Sequence, residues 1–140
     1  MVGPLAQGNA VSVLEEISFS EAQLHSGLAR ASKADLDSLD FGVIGFDAAG
    51  VVRQYNTYES VAAGLSPERV LGRSLFQVVA PCMNNFMVAQ RFEDAQETAT
   101  PLDATINYVL TLKMRPVNVS LRLLAEPGSS KRYVLVERQN

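Results

Sequence analysis

Residues 41–56 read FGVIGFDAAGVVRQYN, and this stretch decides how the rest of the chain is divided. Two short runs rich in Val, Ile, Phe and Tyr flank DAAG at 47–50, the punctuation of a compact β-hairpin. Upstream the texture is helical. VSVLEEI (11–17) is amphipathic, and SEAQLHSGLARA (20–31) opens on Ser20 with Gln23 three residues later, the spacing of a capping box. KADLDSLDF (33–41) sets Leu36 and Leu39 on one helical face. Downstream, residues 57–73 lack strand alternation. There SPER (66–69) offers Ser66 as N-cap, Pro67 at the first helical position and Glu68 in the first turn, with Gly72 ending it. FMVAQRFEDAQETA (86–99) carries apolar residues at 86, 88, 89 and 92, which predicts one face of a helix. LDATINYVLTLK (102–113), VNVSLRLLA (117–125) and RYVLVER (132–138) then read as three strands, the last two joined by the turn EPGSSK.

Consecutive strands pair antiparallel, so this order predicts an α+β fold. The expected architecture is a five-stranded antiparallel sheet with helices on one side and an N-terminal helical cap. The cap spans 1–38 and the main domain 39–140.

Composition narrows the function. At 140 residues, 47% hydrophobic and 19% charged, the chain has the make-up of one globular domain with a real core. A net charge of −3 gives no reason to expect nucleic acid or an anionic membrane as partner. One cysteine and one histidine, Cys82 and His25, exclude a Cys/His zinc site and an internal disulfide. The start lacks a basic n-region and reaches Glu15 and Glu16 before any long apolar run, so no secretory signal is expected. No stretch approaches the roughly 20 apolar residues of a membrane span. The expectation is a cytoplasmic protein with a free thiol.

That thiol sits in SLFQVVAPCMNNF (74–86). A free cysteine in apolar company is ordinarily an inert space filler, whereas a nucleophilic cysteine needs a base to form thiolate. His25 lies in the N-terminal helical segment, which argues against a Cys–His hydrolase, and no metal or phosphate motif appears. Tyr55 and Glu59, four residues apart in QYNTYES (54–60), fall on the same side of a chain that turns helical after Asn56. Read alone they fit an ordinary solvent-facing pair.

The element order is that of a PAS domain. Taken together, DFGVIGFDAAGVVRQYN, Glu59, VLGRSLFQVVAPC and MRP (114–116) resemble the photoactive yellow protein family, from about Leu36 to Glu137. The resemblance implies a blue-light photoreceptor and no enzyme. It places p-coumaric (4-hydroxycinnamic) acid on Cys82 as a thioester, and its phenolic oxygen against Tyr55 and Glu59. It also places Met114 over the chromophore, where it would assist return to the dark state. A phenol ordinarily titrates at about 10, so a buried phenolate needs donors. The Tyr55 hydroxyl is one, and Glu59 is another if burial keeps it protonated. Light would isomerise the double bond, and Glu59 would hand over its proton and stand as an unpaired buried carboxylate, a penalty relieved by loosening the N-terminal cap. Leu75, Phe76, Val79, Tyr108 and Leu110 are candidates for the pocket wall. Two positions depart from the best-known members: Ala63 replaces a threonine that hydrogen-bonds the tyrosine, and Leu65 replaces an arginine that covers the chromophore.

The expected partner is a downstream signalling protein or output domain, with the chain itself a monomer or weak homodimer. The competing reading is a chromophore-free PAS module for dimerisation or small-ligand sensing, favoured by Ala63 and Leu65. A flavin sensor lacks its Asn-Cys-Arg-Phe sequence, and a haem sensor lacks a histidine in the core region.

Overall fold

The computed structural model describes residues 18–20, 22–111 and 115–138. Helices α1 (Leu24–Arg30) and α2 (Lys33–Asp37) lead into strands β1 (Gly42–Phe46) and β2 (Val52–Tyr55). Helices α3 (Thr57–Ala63) and α4 (Pro67–Val70) follow, then a π turn (Leu75–Val79), a 3₁₀ turn (Pro81–Met83) and helix α5 (Ala89–Thr98). Strands β3 (Leu102–Leu110), β4 (Val117–Ala125) and β5 (Arg132–Arg138) complete the chain order. All pairings are antiparallel, and the sheet runs β2-β1-β5-β4-β3. This is the sheet expected from the sequence. The hairpin between β1 and β2 turns on Asp47, whose Oδ1 accepts from the Ala49 and Val51 amides, and on Gly50 at φ +83°, a conformation that a Cβ would strain.

Strand alternation sorts the apolar residues onto two faces. On one face Ile44, Phe46, Leu121, Leu123, Val134 and Val136 pack under α4, the π turn and α5 in the main core. On the other, Val43, Leu124, Tyr133 and Leu135 pack against Leu24, Leu28 and Leu36 of the two N-terminal helices. The central strand β5 is therefore buried on both sides, and it reads as a continuous apolar run for that reason.

Several local expectations are corrected. The capping box sits at Ser32 and Asp35, at the start of α2; helix α1 begins after Gln23 with no side-chain cap, so Ser20 does not open it. Pro67 occupies the first position of α4, while the Ser66 side chain makes no cap hydrogen bond. The apolar spacing predicts Phe86 on the buried face of the longer helix. It precedes α5 and is 78% exposed, because the helix starts only at Ala89 and buries Ala89, Phe92 and Ala95 instead. The piece VSVLEEI (11–17) and Met114 lie outside the described residues.

The two cores meet at Asn56. This side chain is 1% exposed and saturates its amide. Oδ1 accepts from the amides of Val43 (2.9 Å) and Glu59 (3.2 Å), and Nδ2 donates to the carbonyls of Leu36 and Phe41, each at 2.9 Å. Asn56 thereby caps α3, holds the start of β1 and ties down the end of α2. Asn56→Ala strands these buried backbone groups, and a loss of about 3 kcal/mol is expected from the usual cost of unsatisfied donors and acceptors. Urea unfolding monitored by circular dichroism checks this, and a loss below about 1 kcal/mol would contradict the role.

Candidate functional site

Cys82 is delivered by two tight turns in succession. Ser74 accepts from the Gln77 amide and starts the π turn, whose wide i→i+5 geometry appears in the bonds from Val79 to Ser74 (3.1 Å) and from Ala80 to Leu75 (2.7 Å). Pro81, with no amide hydrogen to lose, begins the 3₁₀ turn that presents Cys82 half-buried against the main core. The Cys82 carbonyl is fixed from two sides: the Tyr108 hydroxyl and Asn85 Nδ2 (3.1 Å) both donate to it. Asn85 Oδ1 in turn accepts from the Met87 and Val88 amides, so one asparagine joins the cysteine turn to the entry of α5.

The main core brings the remaining candidates together. Tyr55, Leu75, Val79 and Leu110 are buried members of it, and Leu65, Phe76, Cys82 and Tyr108 pack on its margin. Phe76 stands edge-on to Phe46, with ring centroids 5.6 Å apart. Ala63 is buried at the end of α3, where Gly64 takes φ +72°. With Leu110, Arg115, Val117 and Arg138 it lines a cleft of about 330 Å³. His25 is on the opposite face of the sheet. Its ring meets Tyr133 at 5.3 Å and its Nε2 lies 2.9 Å from the Lys131 carbonyl, so it takes no part at Cys82.

Tyr55 and Glu59 do not meet side chain to side chain. Among the described residues, the Tyr55 hydroxyl has only the Glu59 backbone carbonyl as partner, at 3.5 Å, the outer limit of a hydrogen bond. Burial above all, and the Glu59 charge second, push this phenol well above its ordinary value of 10, with Arg138 opposing; it stays a neutral donor.

The Glu59 carboxylate, 1% exposed, turns to Arg138 instead. Nη1 donates to Oε1 at 2.7 Å and Nη2 to Oε2 at 3.1 Å, a two-pronged pair. The expectation that an ionised Glu59 would stand unpaired is corrected: the inward face of β5 supplies its counter-ion. Backbone shape makes the room. An added Cβ on Gly42 would lie 2.1 Å from Glu59 Oε1, so glycine in β1 is what lets the carboxylate lie there. Burial holds the Glu59 carboxyl above its ordinary 4.5, and the Arg138 hydrogen bonds and charge pull against that rise.

Arg138, Asn85, Asn56 and Gly42 were given no task by the sequence reading. Asn56 was within reach, since an asparagine before Thr-Tyr-Glu has N-cap form. Asn85 had the signature of an Asx turn. Arg138 and Gly42 carry no local signal, because only the β1–β5 register makes them neighbours of Glu59.

A carboxyl that binds its proton more tightly folded than unfolded favours the folded state most at low pH. That contribution is full below the ordinary 4.5 and is lost as pH climbs through the raised folded value. Glu59→Gln removes the titration, so the stability of the variant relative to the parent should rise from acid to neutral pH. Denaturant melts across that range read it, and a difference falling with pH would reverse the assignment.

The comparisons with known proteins agree with the fold. The family described as PAS fold matches residues 36–136. Photoactive yellow protein of Halochromatium salexigens is 30% identical over 122 residues, 87% of this chain and 97% of the relative. That of Rhodothalassium salexigens is 28% identical over 125 residues, 89% and 99% of the two. Among solved structures, the photoactive yellow protein domain from the sensor histidine kinase Ppr of Rhodospirillum centenum aligns at a TM-score of 0.74 and 34% identity, covering 81% of this chain and 98% of that one. The PAS domain of the quorum-sensing receptor RpfR of Cronobacter turicensis, at 10% identity and a TM-score of 0.58, shares the fold alone. With a PAS fold across its core and relatives of one kind over most of its length, the chain belongs to the photoactive yellow protein family.

Proposed function

We propose that this protein is a blue-light photosensor that carries p-coumaric acid on Cys82 as a thioester. The observation that supports it most is the company of the cysteine: a half-buried sulfur and a buried, nearly unspent Tyr55 hydroxyl border the same apolar core. A buried hydroxyl left at 3.5 Å from its partner is a donor waiting for a better acceptor. An aromatic acid bound at Cys82 could present one, and Leu65, Phe76, Val79 and Leu110 offer apolar contact for its ring. When bound, the group would supply blue-light absorption, trans–cis isomerisation of its double bond and an ionised ring oxygen able to take the proton of Glu59.

The chain's own residues would do the rest. Cys82, as thiolate, is the attachment atom. Tyr55 donates its hydrogen toward the ring oxygen. Glu59 joins it only as a protonated carboxyl, since a carboxylate has no hydrogen to give. Tyr108 and Asn85 hold the Cys82 carbonyl still, which fixes where the thioester begins. Met114 belongs to the same proposal as a contact of the chromophore. The role is signalling, not catalysis. A downstream kinase-like output is its natural partner, the Ppr domain being part of a sensor histidine kinase. Among the described residues, no helix is long and apolar enough to cross a membrane, and no group of three metal-ligating side chains occurs.

Incubation with an activated p-coumaric ester, followed by intact mass and a visible spectrum before and after blue light, tests the reading. One adduct per chain, a visible band and its reversible bleaching are expected. Cys82→Ser should lose the adduct, and Glu59→Gln should keep the colour with a shifted band. An adduct that persists on the serine variant, or a colourless and unmodified parent, would remove the chromophore from the account.

A further inference from the structure

We propose that Arg138 is a positioning residue for Glu59, a guanidinium on the inward face of β5 that takes the carboxyl whenever it is ionised and yields it when it is protonated. Both terminal nitrogens of Arg138 donate to Glu59, one to each oxygen. A guanidinium only donates, so the pair is satisfied by a carboxylate, which accepts on both sides. A carboxyl that donates toward the Tyr55 side must carry a proton, and only its carbonyl oxygen then remains a good acceptor for Nη1 or Nη2. The two-pronged pair and a donating carboxyl exclude one another, and the proton on Glu59 selects between them.

The surroundings leave Arg138 in sole charge of that choice among the described side chains that face Glu59. From β2 comes the neutral Tyr55; from α3 itself comes Tyr58, whose interaction is with Arg138; β1 contributes Gly42, which has no side chain. Arg115 lines the cleft beside Arg138. The Arg138 side chain is 15% exposed against 1% for Glu59, so the partner is itself largely dehydrated and its pull is weakly screened. Loss of the Glu59 proton therefore closes an ion pair onto the end of β5 in place of leaving a bare charge in the core.

This inference deepens the photosensor reading but does not need the chromophore for its test. Glu59 is titrated in the chromophore-free protein by carbon NMR of 13C-glutamate, the resonance being assigned by its absence in Glu59→Gln. Removing a contacting opposite charge raises a carboxyl's proton affinity by about tenfold or more. Arg138→Gln should therefore move the midpoint upward by about one pH unit, and Arg138→Lys, which keeps the charge without the fork, should fall between. A midpoint unchanged in Arg138→Gln overturns the proposal. If that variant does not fold, the lysine variant decides: an upward shift supports Arg138, and no shift overturns it. Failure of p-coumarate to attach at Cys82 would end the photosensor reading and leave this titration standing.

Discussion

A carboxyl group sealed from water has two tolerable states, protonated or paired, and the interior of this protein is arranged around that constraint at Glu59. Its position follows from three backbone decisions. Asn56 caps α3 and so fixes the turn that carries Glu59. Gly42 leaves open the space the carboxylate fills. The antiparallel register brings Gly42 opposite Val136, which puts the inward-facing Arg138 at the same end of the sheet. No one of these suffices alone. A Cβ at 42 would expel the carboxylate, and a slip of one residue in β5 would turn Arg138 to the far face.

The same sheet separates what the site does from what surrounds it. The core beneath α4, the π turn and α5 holds Tyr55 and borders Cys82, and the core on the other face belongs to the N-terminal helices. Asn56 links the two: it binds the Leu36 carbonyl with one end of its amide and the Glu59 amide with the other. A rearrangement at the start of α3 is therefore felt at the end of α2 through Asn56 and through Asp37, whose Oδ1 accepts from the Thr57 amide, without passing through the packed strands. That is a direct mechanical connection between Glu59 and the N-terminal segment, and it is built from hydrogen bonds that cost little to exchange when both partners find others.

Much of this was legible before the structure. Period-two alternation and turn chemistry located the β1–β2 hairpin and the three later strands, because both signals are local. Tyr55, Leu110 and Val79 are buried in the main core, and Cys82 packs on its margin. Glu59 is different. Its spacing from Tyr55 predicts neighbouring turns of one side, but Tyr55 ends β2, and the Glu59 side chain reaches away toward a residue 79 positions later. Only sheet register makes that contact, and register between distant strands leaves no mark in a window of a dozen residues. Phe86 failed for a related reason. Its apolar spacing fits a helix face, but Asn85 Oδ1 accepts from the Met87 and Val88 amides, delaying the helix and releasing Phe86 to solvent.

Ala63 and Leu65 bear on the same constraint. Neither side chain can donate a hydrogen bond, so neither adds a donor beside Tyr55. Leu65 packs on the core margin, and Ala63 opens onto the cleft that Arg138 and Arg115 line. Removing polar groups from one side of a buried carboxyl while keeping a guanidinium on the other tilts the contest toward the guanidinium. An anion arriving in the Tyr55 side of the pocket would tilt it back, since its negative charge opposes ionisation of Glu59 and favours the protonated, donating form. The chain thus keeps the positive charge that holds this carboxylate on a strand, 79 residues away in sequence.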